Sequence, residues 1–443
     1  MAKKDVAVVV LAAGKGVRMA SSLPKVLHKI AGVSMLRYVF SNIAGIAPKK
    51  TVVVIGPGMK SVESEAKTLD KTAKCVIQKN QKGTGDAVAT AKGELKGFKG
   101  NILILFGDTP FVTSDTMNYM LKMLESDRKP ALVVLGFTPD DPAEYGRMIV
   151  DDEGNLLEIK EFKDASEEER QIELCNAGVM AVRGELLFDL LGKVKTNNAK
   201  GEYYLTDLVK IARKAKHTCI GAEAEAQEVM GINTRDQLAD AEAIVQHYLR
   251  WEAMSGGATL IAPETVFLNH DTKIGRDVII HPNVVFGHSV TIEDNVEIKP
   301  FTYIEGATIK SGAVIGPYAR IRPGTVVGEN ARVGNFVEIK NSKLGKGAKA
   351  SHLSYIGDTE VGDDANIGAG TITCNYDGKN KYKTRIGKNA FIGSNTSLIA
   401  PVTIGEGAII GAGSTITKDV KKGAKVINVM PQKELGKGSK KKK

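Results

Sequence analysis

Between residues 274 and 416 an apolar residue, usually branched, returns every six positions. It falls on Ile274, Ile280, Phe286, Ile292, Ile298 and Ile304, restarts one place early at Ile309, and continues through Ile315, Ile321, Val327, Val333 and Ile339. The run resumes at Leu344, Ala350, Ile356, Val361 and Ile367, breaks for an insertion before Ile386, and closes with Ile392, Leu398, Ile404, Ile410 and Ile416. Gly often follows the apolar residue, as in Ile274-Gly275 and Ile410-Gly411, and a small or branched residue usually sits four places on. A period of six matches neither a helix nor a sustained strand alternation. It predicts short strands joined by tight turns and wound into a parallel β-helix, in which each coil buries an apolar residue that its neighbours enclose. With three hexads per coil and a strand spacing of about 4.8 Å, the prism is on the order of 35 to 40 Å tall. Glycine is expected at its corners, where it takes backbone angles closed to other residues.

From Asp5 to about Met230 the pattern changes to short β-rich runs alternating with segments of helix length. The runs are Val6 to Leu11, Thr51 to Ile55, Cys75 to Gln78, Ile102 to Phe106 and Ala131 to Leu135. Ser34 to Ala47 and Ser114 to Glu125 read as helices, the second opening on a Ser/Asp cap signal. This alternation predicts a mostly parallel, helix-covered, Rossmann-like sheet with ligands beyond the carboxyl ends of its strands. Thr234 to about Met254 reads as a connecting helix, with Leu238, Ala241, Val245, Tyr248 and Leu249 at helical spacing, ended by Ser255-Gly256-Gly257. The division expected is a catalytic domain over 1–233, a helical spacer over 234–257, a β-helix over 258–431 and a lysine-rich disordered tail over 432–443.

Composition and charge add limits. A chain of 443 residues has room for two or three domains. Lys3-Lys4 ahead of Val6 to Ala13 resembles an export signal, but that apolar run is short and leads into a glycine loop, so a buried first strand is expected instead. No other stretch approaches a membrane span. Cys75, Cys175, Cys219 and Cys374 have no paired spacing, which argues against a disulfide framework or zinc site and for a reducing cytoplasm. The net charge of +10 is half explained by the tail, where six lysines and one glutamate follow Pro431. Without interleaved aromatic residues that tail does not read as a nucleic-acid surface.

The first strand runs into Leu11-Ala12-Ala13-Gly14-Lys15-Gly16-Val17-Arg18-Met19 and then Leu23-Pro24-Lys25. Small residues let backbone N–H groups close around phosphate oxygens, while Arg18 and Lys25 bring positive charge to a triphosphate. Asp108, after the strand Ile102 to Phe106, is a hard oxygen donor suited to Mg²⁺, although Asp before Thr-Pro also suits a turn.

Leu11 to Lys25 resembles the signature of sugar-1-phosphate nucleotidyltransferases. Gly83-Thr84-Gly85, Gly107-Asp108-Thr109-Pro110, Glu144-Tyr145-Gly146-Arg147, Glu161-Phe162-Lys163-Asp164-Ala165, Gly201 to Asp207 and Gly231-Ile232-Asn233 narrow it. With the hexapeptide half, they resemble the bacterial bifunctional family that joins N-acetylglucosamine-1-phosphate uridylyltransferase to glucosamine-1-phosphate acetyltransferase. The resemblance covers nearly the whole chain. It implies Asn233 as the second metal ligand, Gln78, Gly83 and Thr84 facing uracil, and Gly146, Glu161 and Asn176 holding the N-acetylated sugar. Leu11, Ala12, Ala13, Gly14, Phe106 and Gly107 complete the nucleotide site. Read alone, Gln78 also suits a strand-end cap, Glu161 a solvated face and Gly146 a turn. The reaction implied is in-line attack by the sugar phosphate on the α-phosphorus of UTP, with release of pyrophosphate.

For the second half the resemblance implies His352 as the base that takes a proton from the sugar ammonium before nitrogen attacks the thioester of acetyl-CoA. It places Arg322, Lys340, Tyr355 and Asn366 on glucosamine-1-phosphate, Asn375 and Tyr376 beside the reacting groups, and Ala369, Ser394 and Ala412 on the acetyl-CoA side. Surface charge for Arg322 and Lys340, corner packing for Ser394 and Ala412, and a structural histidine are the plainer readings. Two residues depart from the family pattern. Phe106 stands where a Tyr is frequent, and Val429 replaces a basic residue thought to meet coenzyme A phosphate, for which the Lys440 to Lys443 cluster is a candidate substitute. The family also implies a homotrimer, left-handed coiling against the usual right-handed crossover preference, and a place in UDP-N-acetylglucosamine synthesis for envelope polysaccharides. Two rivals remain: a nucleotidyltransferase for another sugar with an inert hexapeptide half, and a regulatory interaction subunit.

Overall fold

The computed structural model describes residues 4–428 and 432–433. The chain divides into two compact units, Met1–Glu242 and Ala243–Lys443. Val429 and the Lys440 to Lys443 cluster lie outside the described residues.

The first unit is built on one nine-stranded sheet. Its strands are β1 (Val6–Ala12), β2 (Lys50–Ile55), β3 (Lys74–Ile77), β4 (Asn101–Phe106), β5 (Leu132–Phe137), β6 (Arg147–Val150), β7 (Leu156–Lys160), β8 (Cys175–Arg183) and β9 (Cys219–Glu223). Across the sheet they run β9-β5-β8-β4-β1-β2-β3, with the hairpin β6–β7 joined to β8. All five apolar runs are strands. Every residue of β1 is buried, as expected of a central parallel strand covered on both faces. Strand order turns at β1, which pairs parallel with β2 on one side and β4 on the other. A crevice therefore opens beyond the carboxyl ends of β1 and β4, where Leu11 registers with Phe106.

Helices α1 (Met35–Ala44), α2 (Thr84–Thr90), α3 (Ser114–Leu124) and α4 (Asp207–Lys214) flank the sheet. The start of α3 differs in detail from expectation: the hydroxyl that caps it belongs to Thr113, accepting from the Thr116 N–H, because Ser114 is already helical. The connecting helix is α5 (Arg235–Ser255). Tyr248 does not belong to its buried stripe, being 58% exposed beside Trp251 at 60%. Within the second unit Leu249 and Ala253 pack on the β-helix core.

The second unit is the β-helix. Its two- to four-residue strands stack into three parallel sheets of ten, eight and eight. Register confirms the coil: Ile280 pairs with Ile298, and that with Ile315, each 17 or 18 residues on. Of the periodic apolar residues only Ile274 is less than fully buried. The small residues four places on fill the interior too: Val278, Ala313, Ala348, Ala365 and Ala408 are wholly buried.

One expectation is refined here and another corrected. Most glycines directly after the apolar residue answer to close stacking and not to a left-handed corner, Gly316 at φ 93° excepted: an added Cβ at Gly345 would lie 2.5 Å from Asp363 N, and one at Gly387 2.5 Å from Glu406 N. The next coil passes too close for any side chain. The left-handed corners are shared: glycine takes them at Gly306, Gly312, Gly324, Gly347, Gly370, Gly407 and Gly413, as expected, and Asn at Asn283, Asn295, Asn330, Asn389 and Asn395 with φ between 55 and 60°. The insertion also starts later than expected. Ile372–Cys374 is still a rung, paired with β-helix strands before and after it. Thr373 replaces the branched apolar residue there and stays buried because its hydroxyl accepts from Gly357 N at 2.8 Å. The excursion is confined to 375–383, closed by a bridge between Tyr376 and Lys381.

Candidate active sites

The crevice beyond β1 and β4 holds a cavity of about 490 Å³. Ten of the residues singled out for the nucleotide line it: Leu11, Ala12, Ala13, Gly14, Lys25, Gln78, Gly83, Thr84, Phe106 and Asp108. Lys15, Asn80, Gln81 and Glu202 line it as well and were not foreseen. The loop after β1 is shaped by Gly16, at φ 61°, where a Cβ would come 2.8 Å from the Lys25 Cβ. Gly83, at φ 104°, opens α2, and a Cβ there would meet the Tyr203 carbonyl at 2.6 Å. Gln78 is buried and donates to the Gly83 carbonyl at 3.0 Å and to Asp86 at 2.8 Å, so its side chain is fixed against the α2 entry. The ring of Phe106 packs over Gly178, where a Cβ would be 2.8 Å from it. Arg18 stands exposed on the turn Val17–Met19 and is not among the lining residues.

Asp108 and Asn233 meet at the edge of this cavity. Ile232 N donates to the Asp108 carbonyl at 2.9 Å, drawing the Gly231-Ile232-Asn233 segment in. The Lys25 ammonium bridges the two side chains, paired with the Asp108 carboxylate and donating to Asn233 Oδ1 at 3.0 Å. One cation thus already reaches both oxygens, a donor pair that fits a hard divalent ion completed by phosphate and water. Among the described residues there is no cluster of three or more His, Cys, Asp or Glu suited to a metal.

The three sugar candidates come from paired strands. Gly146 precedes Arg147 of β6, Glu161 follows Lys160 of β7 and Asn176 follows Cys175 of β8, and those three positions lie in register. Asn176 N donates to the Gly146 carbonyl at 2.8 Å. Glu161 is not on a solvated face: burial pushes its carboxyl above the usual range, offset in part by the Thr206 hydroxyl, which donates at 3.0 Å.

In the β-helix the candidates fall into two columns. Asn335, His352, Ala369, Ser394 and Ala412 each sit two places after a stacked apolar residue of one sheet, Val333, Ala350, Ile367, Ile392 and Ile410. His352 is exposed, and its Nδ1 lies 2.7 Å from Asn335 Oδ1, one coil away. On the next sheet Arg322 and Lys340 follow the paired Ile321 and Ile339, and Gly357 takes the equivalent place one coil on. An added Cβ at Gly357 would be 2.5 Å from the Tyr355 hydroxyl and 2.7 Å from the Asn375 amide, so the missing side chain makes room for both. Asn375 is buried and held by Asp358, while Tyr376 is exposed on the excursion. Asn366 lies on the sheet of His352, paired with Lys349. The sequence reading missed Lys381. Its ammonium beside Lys340, with Arg322 nearby, holds the Lys340 amine below its usual value. Arg322 is paired with Glu338 at 2.7 Å, so Lys340 and Lys381 are the cations whose mutual repulsion an anion would relieve.

A sheet with its crevice at the strand-order reversal, followed by a hexapeptide β-helix with a separate histidine column, defines a nucleotidyltransferase joined to an acyltransferase. The MobA-like NTP transferase domain model matches residues 8–161, and the bacterial transferase hexapeptide model matches 271–306, 306–341 and 383–418. The bifunctional protein GlmU of Paramagnetospirillum magneticum is 52% identical over 435 residues, covering 98% of this chain and 96% of that protein. The GlmU of Zymomonas mobilis is 51% identical over 95% of this chain and 93% of its own length. A structure of UDP-glucose pyrophosphorylase complexed with UDP-glucose aligns at TM-score 0.44 and 16% identity, over 55% of this chain and 99% of that one. The chain belongs to the bifunctional GlmU family. It is an enzyme with two activities, uridylyl transfer to N-acetylglucosamine-1-phosphate and acetyl transfer to glucosamine-1-phosphate.

Proposed function

We propose that the two activities are served by separate sets of residues, divided as 1–233 for uridylyl transfer, 234–257 as connection and 258–431 for acetyl transfer. The observation that carries this reading is the chemistry of the two constellations: a glycine loop with an oxygen-donor pair lining one cavity, and an exposed imidazole on one sheet of the β-helix with a cationic group on the next.

In the first, Leu11 to Gly14 and Gly107 bring backbone to the nucleotide, Gln78, Gly83 and Thr84 face the base, and Gly146, Glu161 and Asn176 hold the sugar. Asp108 and Asn233 would hold Mg²⁺, which supplies charge neutralisation on the phosphoryl oxygens. Lys25 and Arg18 take the charge that gathers as the sugar-phosphate oxygen bonds to the α-phosphorus and the bond to pyrophosphate breaks. Positioning and electrostatic stabilisation supply most of the rate, since no covalent intermediate is needed. Arg18 must swing inward from its exposed turn to serve.

In the second, Arg322, Lys340 and Lys381 bind the phosphate of glucosamine-1-phosphate, Tyr355 and Asn366 orient the sugar, and Asn375 stands beside the reacting groups. With Asn335 Oδ1 accepting from Nδ1–H, the lone pair of His352 is on Nε2, ready to take the amine proton. Nitrogen then attacks the thioester carbonyl and coenzyme A leaves as the thiol. The small residues Ala369, Ser394 and Ala412 form a shallow track above His352 suited to a long, thin acetyl-CoA, with Tyr376 at its side. The protein works as a cytoplasmic homotrimer, in keeping with four free thiols and an exposed aromatic ladder beside the histidine column. Among the described residues no helix is long and apolar enough to cross a membrane.

The test is a double dissociation. Asp108→Ala is expected to abolish uridylyl transfer and leave acetyl transfer intact, and His352→Ala to do the reverse, each followed by product formation with one substrate omitted at a time. Equal loss of both activities in either variant would overturn the separation.

A further inference from the structure

The proposed metal pair already holds a cation, and that cation is a side chain. Lys25 Nζ is bonded to both Asp108 and Asn233, with the Lys25 side chain 13% and that of Asp108 15% exposed, so the three groups form a part-buried, charge-balanced cluster on the cavity wall. The loop accommodates this arrangement specifically: Gly16 has no Cβ where the Lys25 stem passes. Lys25 also lines the nucleotide cavity, a short reach from where a triphosphate would lie.

We propose that Lys25 is a latch on the metal site: its ammonium occupies the cation position between Asp108 and Asn233 until triphosphate draws it away. This rests on the reading of Asp108 and Asn233 as metal ligands. An ion held by Asp108 and Asn233 would need the carboxylate and amide oxygens that the ammonium now occupies, and two cations crowded onto that one oxygen pair repel. Metal entry therefore requires Lys25 to leave. Lysine suits that exchange, having a compact charge on a flexible stem with three rotatable donors, unlike the planar fork of arginine. The triphosphate gives the ammonium a better-charged partner within the same cavity, so nucleotide binding opens the metal pair. By reciprocity, metal in place frees Lys25 for the phosphates and raises nucleotide affinity by the same factor. The consequence is that the empty enzyme has little affinity for divalent ions and acquires it with the nucleotide, which keeps the carboxylate from holding stray ions between turnovers.

The experiment is Mn²⁺ binding to the full chain without nucleotide, followed by the electron paramagnetic resonance signal of the free ion. Lys25→Met, which keeps the stem and removes the charge, is expected to bind Mn²⁺ at least tenfold more tightly than the unmodified protein. Lys25→Gln, which keeps a polar end, guards against a variant that fails to fold and should shift the same way, while Lys25→Arg should stay weak. Adding Asp108→Asn to Lys25→Met should remove the gained site. If the unmodified protein and Lys25→Met bind equally and Asp108→Asn still removes the site, the latch is wrong and the metal pair stands. If no variant shows a site sensitive to Asp108→Asn, the metal pair itself is wrong and the latch falls with it.

Discussion

His352 and Asn335 are 17 positions apart in sequence and one coil apart in space. A carboxamide oxygen only accepts, so at 2.7 Å from Nδ1 it selects the tautomer whose other nitrogen carries the free lone pair. That makes Asn335 a positioning residue for the proposed base. Asn335→Leu is expected to lower kcat for acetyl transfer about 10- to 100-fold, the scale of losing an orienting partner, with KM for both substrates unchanged. Asn335→Asp, which still accepts from Nδ1–H, should recover most of the rate, and steady-state kinetics of the three proteins decide it. A purely structural role would move KM and fail to separate Asp from Leu. His352 was legible in the sequence only through family resemblance, and Asn335 not at all. Its partner lies a full coil away, and nothing local to Gly334-Asn335-Phe336 marks it. Lys381 escaped for a similar reason: it sits in the excursion, and its role emerges only where the chain returns beside Lys340. By contrast the place of Leu11 to Gly14 on the cavity wall was readable locally, because a glycine loop after a buried strand opens beyond the strand's carboxyl end.

At the level of elements, the six-residue repeat was the most transparent feature, since burial in a three-sided prism recurs at fixed spacing and leaves its period in the chain. What the repeat concealed was why its glycines are there. Two kinds of glycine occupy different places in the hexad. Gly387 follows an apolar residue and faces the backbone of the next coil, whereas Gly407 is a left-handed corner at φ 64° with open space around it. Asparagine already occupies such corners at Asn389 and Asn395. Gly407→Asn is therefore expected to leave stability within about 0.5 kcal/mol of the original, as for other surface changes free of special mechanism. Gly387→Ala must push the Glu406 backbone aside and is expected to cost about 1 to 3 kcal/mol, in the range of overpacked cores. Denaturant unfolding of the β-helix in both variants, read with acetyl transfer as the sign of native folding, distinguishes close stacking from corner conformation. Equal losses would mean that turn geometry, not coil spacing, sets the glycine pattern. The later start of the insertion belongs here too: Thr373 breaks the apolar rule while keeping its rung, because a buried hydroxyl with a backbone partner costs little.

Across the molecule, one corner of the β-helix carries Phe301, Tyr318, Phe336 and Leu353 on successive coils. The three rings stack at 4.9 and 5.2 Å, and all four side chains are 47 to 59% exposed. Each also holds a left-handed backbone, φ 49 to 57°, which bulky residues adopt at a cost. Among the described residues nothing covers this apolar strip, and contiguous exposed apolar strips mark interfaces. The strip runs one residue beyond the column of Asn335 and His352, so a second copy seated on it would also wall the proposed acetyl-transfer site. This ties oligomeric state to one activity and not the other. Tyr318→Glu with Phe336→Glu is expected to convert the proposed trimer to monomer in sedimentation equilibrium and to reduce acetyl transfer at least tenfold, while uridylyl transfer stays within twofold. A trimer that survives both charges would place the interface elsewhere. A monomer with full acetyl transfer would show that the histidine column needs no neighbour, and the shallow track over Ala369, Ser394 and Ala412 would then have to hold acetyl-CoA unaided.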